Sequence, residues 1–410
     1  MRLVIIGNGV AGVTTARNVA DHDPSIEIRL FGKEPYAYYP RPRLIDYIAG
    51  KLPVENLPQY DDAWYQARGI DVQLGQKAVS VDPQARTVAF ADGHQEPYDW
   101  LVLATGSRAW VPPIPGADRQ GVHTLRCLDD AVTLCRGAQR SEPLLILGGG
   151  LLGLDTAMAL RAYDVDVTVV ELLPRLLPRQ LDIEGAALLQ QAIEARGVRV
   201  ITGEACSEIV GDTQVRGARL ASGRHLPASM VLVSAGVRPR IDLARDAGLA
   251  CRLGIAVDER MQTSAPSIYA VGDAAEFNDR VWGIIPTALA QARIAAAQIT
   301  GQTDATYNDV VPSTTLQVTG IDLTSMGEVN PETGDFHEVR FLDEAAQIYK
   351  KLVIRHNTVV GAILLGSRAD LAAVNQLVAK GIDVADVKDR LLEPEFDLKG
   401  FVRQASARAP

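Results

Sequence analysis

Cysteine is scarce in this chain: none precedes Cys127, and Cys135, Cys206 and Cys251 form neither a Cys-x-x-Cys pair nor a cluster with histidine. That spacing indicates neither a disulfide framework nor a zinc site, and the four read as small side chains of the interior. Long apolar runs are lacking too. No stretch approaches the ~20 residues of a membrane helix, and the apolar start MRLVIIG runs straight into glycines, unlike a signal peptide. A cytoplasmic protein is expected. Basic excess is also missing: 41 Lys and Arg against 50 Asp and Glu give a net charge of −9 with histidine neutral, which argues against general attraction to nucleic acid or an anionic membrane. Low-complexity tracts are absent, and only the tail, residues 399–410, reads as loosely ordered. With 410 residues, 47% of them hydrophobic, two or three domains are expected.

What is present is one passage written twice. In the first copy the apolar run Leu3-Val4-Ile5-Ile6 reads as a buried strand, Gly7-x-Gly9-x-x-Gly12 follows, then a helix, then the alternating strand Ile26 to Phe31. The second copy has the strand Leu144 to Leu147, Gly148-x-Gly150-x-x-Gly153, a helix through about Ala162, and the strand Val165 to Val170 closed by Glu171. Each is a β-α-β unit of the dinucleotide-binding kind. The first glycine permits the tight turn, the second lets backbone approach a pyrophosphate, and the third lets helix and strand pack closely. The phosphates then meet free N–H groups at the positive end of the helix.

Glu171 lies 23 residues after Gly148, near the spacing of about 20 at which an acid accepts hydrogen bonds from the adenosine ribose. A carboxylate there would repel a 2′-phosphate, so NADH is expected over NADPH. In the first copy Phe31-Gly32-Lys33-Glu34 puts no acid on the strand itself, and Glu34 or Lys33 falls at the adenosine end. One bare glycine match is weak, since glycine turns also serve plain packing; two complete units leave that reading little room.

Three further stretches follow this grammar. Tyr98 to Gly106 is a strand leading to Thr105-Gly106, and Pro112 to Gly116 is a rigid exit suited to a domain crossover. Val231 to Pro239, containing Gly236, repeats that design. Ile268 to Val271 ends in Gly272-Asp273, which puts a carboxylate at a strand's carboxyl end, where open α/β sheets bind ligands; alone, Asp273 could equally cap a helix.

This ordered set resembles the FAD-dependent pyridine nucleotide-disulfide oxidoreductases, over residues 1 to about 300. The resemblance implies an α/β fold with two Rossmann-like dinucleotide-binding domains, for FAD and NAD, plus a small α+β C-terminal domain. FAD would be held by residues 1–113 with 239–305, NADH by 114–238, and 306–410 would form the interface domain. It further implies that tightly bound FAD meets Gly7, Gly9, Val10, Ala11, Gly12, Lys33, Glu34, Arg41, Val79, Thr105, Gly106, Gly272, Asp273 and Thr287. NAD would meet Gly148, Gly150, Leu151, Leu152, Gly153, Glu171 and Gly236. Asp155 stands where relatives usually have glutamate and would help place the nicotinamide. Asp273 would bond the ribityl chain, and the alanine-rich helix beginning near Ile285 would turn its positive end to the flavin.

Subfamilies of this group differ after the first unit, where disulfide reductases have a Cys-x4-Cys pair and peroxidases one cysteine. Residues 34–46 here contain no sulfur, so no thiol relay is expected beside the flavin. Instead Arg41-Pro42-Arg43-Leu44 is similar to NADH:rubredoxin reductases and to the flavoprotein part of NADH-dependent nitrite reductases, where such a run lies along the flavin pyrophosphate. A guanidinium fork suits phosphate oxygens. Oxygenase-type ferredoxin reductases have a lysine near Asp46 that is missing here, which points away from that branch.

The expected function is an NADH-dependent FAD reductase passing electrons to an external one-electron carrier. No metal site and no acid-base residue is expected. Rubredoxin is the first choice, on the strength of the Arg41 segment and of a chain that stops at 410 residues without a cysteine cluster for the iron-sulfur and haem domains of a full nitrite reductase. An NADH oxidase, the flavoprotein component of a nitrite reductase or oxygenase system, and an NADH-sensing flavoprotein that signals by its association state are the alternatives. The C-terminal part is read as five strands, Ser313 to Val318, Asp322 to Met326, Glu338 to Phe341, Gln347 to Arg355 and Thr358 to Leu365, with a turn at His356-Asn357 and helices near 368–380 and 384–391. By resemblance it covers the flavin edge and serves homodimerisation or partner docking.

Overall fold

The structure is a computed structural model that describes residues 1–139, 143–308, 313–318 and 320–408. The chain forms two compact units, one of Met1–Trp110 with Val237–Val310 and one of Val111–Gly236 with Val311–Pro410.

The first unit is built on a parallel sheet of five strands in the order Ile268–Ala270, Trp100–Leu103, Arg2–Ile6, Glu27–Phe31, Ile70–Gln73. Its central strand is apolar at successive positions because both of its faces are covered. Leu3 and Ile5 point to the side of helices Val10–His22 and Ile285–Ile299. Val4 and Ile6 point to the other side, where Val81, Val88 and Phe90 come from the antiparallel sheet Ala78–Asp82, Thr87–Phe90, Gln95–Pro97. The two helices bring alanine and glycine to the shared core, Ala11, Gly12 and Ala16 from one and Ala288, Ala292 and Ala295 from the other. Small side chains allow the close approach.

The second unit repeats this plan. Its parallel sheet runs Val198–Thr202, Val167–Glu171, Leu144–Leu147, Met230–Val233, Val122–His123, and an antiparallel sheet of Cys206–Gly211, Val215–Leu220 and His225–Pro227 packs on one face through Ile209, Ala218 and Leu226. In both parallel sheets the strand preceding the glycine loop is central, with one neighbour from its own β-α-β unit and one from much later in the chain. The strand order reverses there, and the crevice at the carboxyl ends is where such sheets bind ligands.

The same unit contains an antiparallel sheet ordered Ser313–Val318, Ile321–Gly327, Thr358–Leu365, Ile348–Arg355, His337–Asp343. His356 and Asn357 both have positive φ, 47° and 60°, the conformation of a two-residue hairpin turn. Helices Leu371–Lys380 and Leu398–Arg408 cover one face. Two expectations change here. Residues 384–391 are a chain of turns, not a helix: Val384 N–H is held by the Asn357 carbonyl at 2.8 Å, and Val384, Leu391 and Leu392 are buried as separate anchors. The tail is helical through Arg408, because Leu398, Phe401, Val402 and Ala405 share an apolar face among its charged residues. Residues 409 and 410 lie outside the described residues.

A buried polar cluster ties this sheet to the helix Ile183–Glu194. Asp182 caps that helix, accepting from Gly185 N–H at 3.0 Å. Its other oxygen accepts from the Tyr349 hydroxyl at 2.5 Å and pairs with Lys351 Nζ at 3.3 Å. Lys351 is 2% exposed and also meets Glu338 at 2.9 Å. Burial opposes ionisation of Asp182, but Tyr349, the Gly185 amide and Lys351 together hold its carboxyl below the usual range. A lowered carboxyl contributes stability that is complete above about pH 5 and is lost as pH falls below about 4. Asp182→Asn is therefore expected to cost about 1–3 kcal/mol at pH 7, with the gap in melting temperature from wild type closing as the pH is lowered through that range; a gap independent of pH would contradict this.

Candidate functional site

Each glycine loop sorts its three glycines by what surrounds them. Gly7 has φ +123°, and a Cβ there would lie 2.0 Å from the Ala104 carbonyl oxygen; one on Gly12 would lie 2.0 Å from the Gly7 carbonyl oxygen. In the second loop Gly148 has φ +121° with the Ser234 carbonyl at 2.3 Å, and Gly153 would strike the Gly148 carbonyl at 2.2 Å. The first and third glycines are thus required by backbone packing. The middle ones differ, for a Cβ on Gly9 or Gly150 would meet nothing within 4 Å. Both are helix N-caps with no side-chain cap, so open space fronts a helix start with free N–H groups. That arrangement accepts a phosphate.

In the first unit, several segments join the Gly7 loop at the carboxyl ends of the sheet. Gly272, φ +74°, packs on Ala11 and donates its N–H to Gln291 at 2.8 Å. Asp273 sits in a single 3-10 turn, Gly272–Ala274, and accepts from the Ser107 hydroxyl at 2.8 Å; the cap reading of a long helix does not apply. The Thr105-Gly106 turn is stitched to the returning chain, Thr105 Oγ1 donating to the Arg240 carbonyl and Arg240 N–H to the Gly106 carbonyl, each at 2.8 Å. The strands Ser107–Ala109 and Val237–Pro239 pair beside it. Two buried oxygens, Asn8 Oδ1 in the loop and Thr287 Oγ1 in the first turn of Ile285–Ile299, find no hydrogen-bond partner among the described residues. Buried polar atoms of this kind are uncommon in folded proteins.

Arg41 and Glu34 are brought together. The guanidinium forks across both oxygens of Glu34, one of its bonds measuring 3.1 Å, and the Tyr39 hydroxyl joins the same pair. Burial disfavours the Glu34 anion, yet the bonds and charge of Arg41, the Tyr39 hydroxyl and the charge of Arg240 outweigh it and leave the carboxyl below its ordinary value. Lys33 is exposed, and Val79 stands half-exposed on strand Ala78–Asp82.

In the second unit Glu171 is 9% exposed and holds the loop directly, accepting from Gly149 N–H at 2.6 Å and Leu173 N–H at 2.8 Å. Leu151, Leu152 and Asp155 lie in the first turns of the following helix, Leu152 being 38% exposed. Gly236 is exposed with φ +98°. Ser107, Arg240, Gln291 and Asn8 were not singled out from sequence. The first three act across 19 to 166 residues, a range without a local pattern.

Among the described residues no group of His, Cys, Asp and Glu could hold a metal ion, and no helix is long and apolar enough to cross a membrane. None of the four cysteines is in a disulfide, and burial raises the thiols of Cys135, Cys206 and Cys251. Raised thiols are poor nucleophiles.

Compared with known proteins, residues 1–298 match the pyridine nucleotide-disulphide oxidoreductase family. The chain belongs to this family. Its members are NAD(P)H-dependent flavoprotein oxidoreductases that hold FAD and NADH, and the two loops are of the kind both nucleotides need. Residues 312–382 match the rubredoxin NAD+ reductase C-terminal domain. A nitrite reductase [NAD(P)H] of Bacillus subtilis is 34% identical over 96% of this chain but 49% of its own length, and the chain spans about half the length of the nitrite reductases it matches. The ferredoxin reductase component of a chlorobenzene dioxygenase from a Cupriavidus species is also 34% identical, over 92% of each chain. The missing lysine near Asp46 therefore does not set the oxygenase branch apart from the nitrite reductases by overall similarity. The crystal structure of NADH:rubredoxin oxidoreductase from Clostridium acetobutylicum superposes with a TM-score of 0.78 at 27% identity, covering 95% of this chain and 97% of that one.

The glycine geometry separates folding from binding. Gly153→Ala is expected to destabilise the protein by about 1–3 kcal/mol through overpacking. Gly150→Ala should change stability by less than about 1 kcal/mol, yet weaken NADH binding at least tenfold by filling the space before the helix. Thermal melts and NADH titrations of both variants check this, and equal melting losses would contradict it.

Proposed function

We propose that the chain takes hydride from NADH and passes electrons one at a time to an external iron carrier, rubredoxin in the first instance. In this reading residues 1–113 and 239–305 hold FAD, 114–238 hold NADH and 306–410 form the domain that meets the partner or a second copy. The observation that carries it is the pairing of two phosphate-ready loops with a first unit that has no cysteine before Cys251. With no thiol beside the first loop, electrons have no internal stop and must leave the protein.

Bound FAD supplies acceptance of hydride and release of single electrons, which is the cofactor's own chemistry. The chain's residues bind and orient. The N–H groups at Gly9, Val10 and Ala11 would meet the FAD pyrophosphate, and Arg41, oriented by Glu34 and Tyr39, would turn its guanidinium to a phosphate oxygen. Asp273, aligned by Ser107, accepts from a hydroxyl of the ribityl chain. The backbone N–H groups in the first turn of Ile285–Ile299 would offer partial positive charge to the end of the cofactor that gains electrons. In the second unit Gly150 and Leu151 meet the NADH pyrophosphate. Glu171 already braces Gly149 and Leu173, and its remaining lone pairs accept from the ribose hydroxyls, where a 2′-phosphate would be repelled.

A second reading is favoured by the nitrite reductases, whose similarity covers nearly all of this chain. There the same electrons would feed a further reductase partner. Reduction of the purified yellow protein by NADH and NADPH in stopped flow, followed by mixing with rubredoxin, ferredoxin, quinone and oxygen, decides among these. Rapid bleaching by NADH, slower by NADPH, and reoxidation fastest by rubredoxin are expected. Oxygen matching the rubredoxin rate would overturn the carrier assignment, and a colourless protein that takes up no flavin would overturn the whole reading.

A further inference from the structure

The segment from Glu171 to Asp182 is short of regular structure, yet it backs the second glycine loop. Leu176 is fully buried, and its Cδ2 lies 2.6 Å from where a Cβ on Gly149 would be, so this side chain forms the wall behind the loop. The next residue, Leu177, is 2% exposed and has φ +47°. A left-handed leucine is uncommon and persists only where its surroundings fix it. Two carbonyls just beyond, those of Pro178 and Leu181, are held from outside the nucleotide domain. Asn330, in the connection between strands Ile321–Gly327 and His337–Asp343, donates from Nδ2 to both, at 3.1 and 3.0 Å. The Arg175 side chain reaches the same two carbonyls at 3.4 Å. One residue further, Asp182 is fixed by Tyr349 and Lys351 of the same sheet.

We infer that Asn330 is a positioning residue for the NADH site: from the C-terminal sheet it fixes Pro178 and Leu181, and through Leu176 the glycine loop that receives the pyrophosphate. The inference rests on reading the Gly148 loop as the NADH site. It gives the C-terminal region a task in nucleotide binding besides any contact with a partner. Asn330 acts through the Pro178 and Leu181 carbonyls and not on the loop itself, so its removal should loosen ground-state binding without altering the reaction that follows.

The test uses the full-length, flavin-loaded protein and ADP-ribose, which carries the pyrophosphate and adenosine of NADH without the nicotinamide. Asn330→Ala is expected to weaken ADP-ribose binding measured by calorimetry by about fivefold or more, the size of one or two lost hydrogen bonds. The KM for NADH should rise in step, with the limiting rate of flavin reduction, flavin content and melting temperature at wild-type levels. Asn330→Gln, which keeps the donors, should recover part of the affinity. Should Asn330→Ala melt early, Asn330→Ser is read by the same criteria. Wild-type protein that binds ADP-ribose while Asn330→Ala binds it within twofold would overturn the positioning role, as would a variant whose limiting rate falls together with its affinity. Wild-type protein that binds neither ADP-ribose nor NADH would instead overturn the nucleotide assignment itself.

Discussion

Where each glycine loop turns from strand to helix, two stretches of backbone approach so closely that no side chain fits between them. The Ala104 carbonyl fills the place of a Cβ on Gly7, and the Ser234 carbonyl does so on Gly148. The third glycine of each loop then folds the helix down onto the turn. This approach aims the helix start at the crevice between central strands and leaves the middle glycine as the only position of the three facing empty space. Everything proposed for the two nucleotides depends on that space lying before unpaired N–H groups.

Around this shared core the units use different supports. In the first, the Thr105-Gly106 turn is bound to Arg240 on the returning chain, and Gly272 to Gln291 of the long alanine-rich helix, so residues from three distant parts of the sequence converge on one crevice. In the second, one carboxylate does most of the bracing: Glu171 spans Gly149 and Leu173, and the segment after it leans on the C-terminal sheet. Charged groups drawn inward are held by ion pairs or by backbone N–H groups, as Glu171 is. Lys351 lies between Asp182 and Glu338, and Arg41 lies across Glu34. Burying one partner without the other would be costly.

Both β-α-β units and the Gly272-Asp273 strand end could be read from sequence because each rests on local periodicity and on residues with special backbone freedom; the outer strands Ile70–Gln73, Val198–Thr202 and Val122–His123 were not read. The C-terminal strands were legible for the same reason, with His356-Asn357 marking the hairpin. The tail was not, since Lys399, Arg403 and Gln404 conceal the spacing of Leu398, Val402 and Ala405, and the helix forms because the C-terminal core accepts that face. Residues 384–391 mislead in the opposite sense: their apolar positions suggest a helix, but they are spent on separate anchor points. The Asn330 bonds to the Pro178 and Leu181 carbonyls and the Tyr349 bond to Asp182 span 149 to 167 residues. No spacing rule connects an asparagine in one loop to two carbonyls in another.

Neither unit is written in one piece. The sheet behind Gly7 lacks its edge strand, Ile268–Ala270, and its second helix until Ile299 has been made, and the Val111–Gly236 segment waits longer for Asn330, Tyr349 and Lys351. On a ribosome working from the amino terminus, the residues through Ile299 must emerge before the first crevice is closed. A nascent chain therefore presents unfinished parallel sheets until those distant strands and supports arrive.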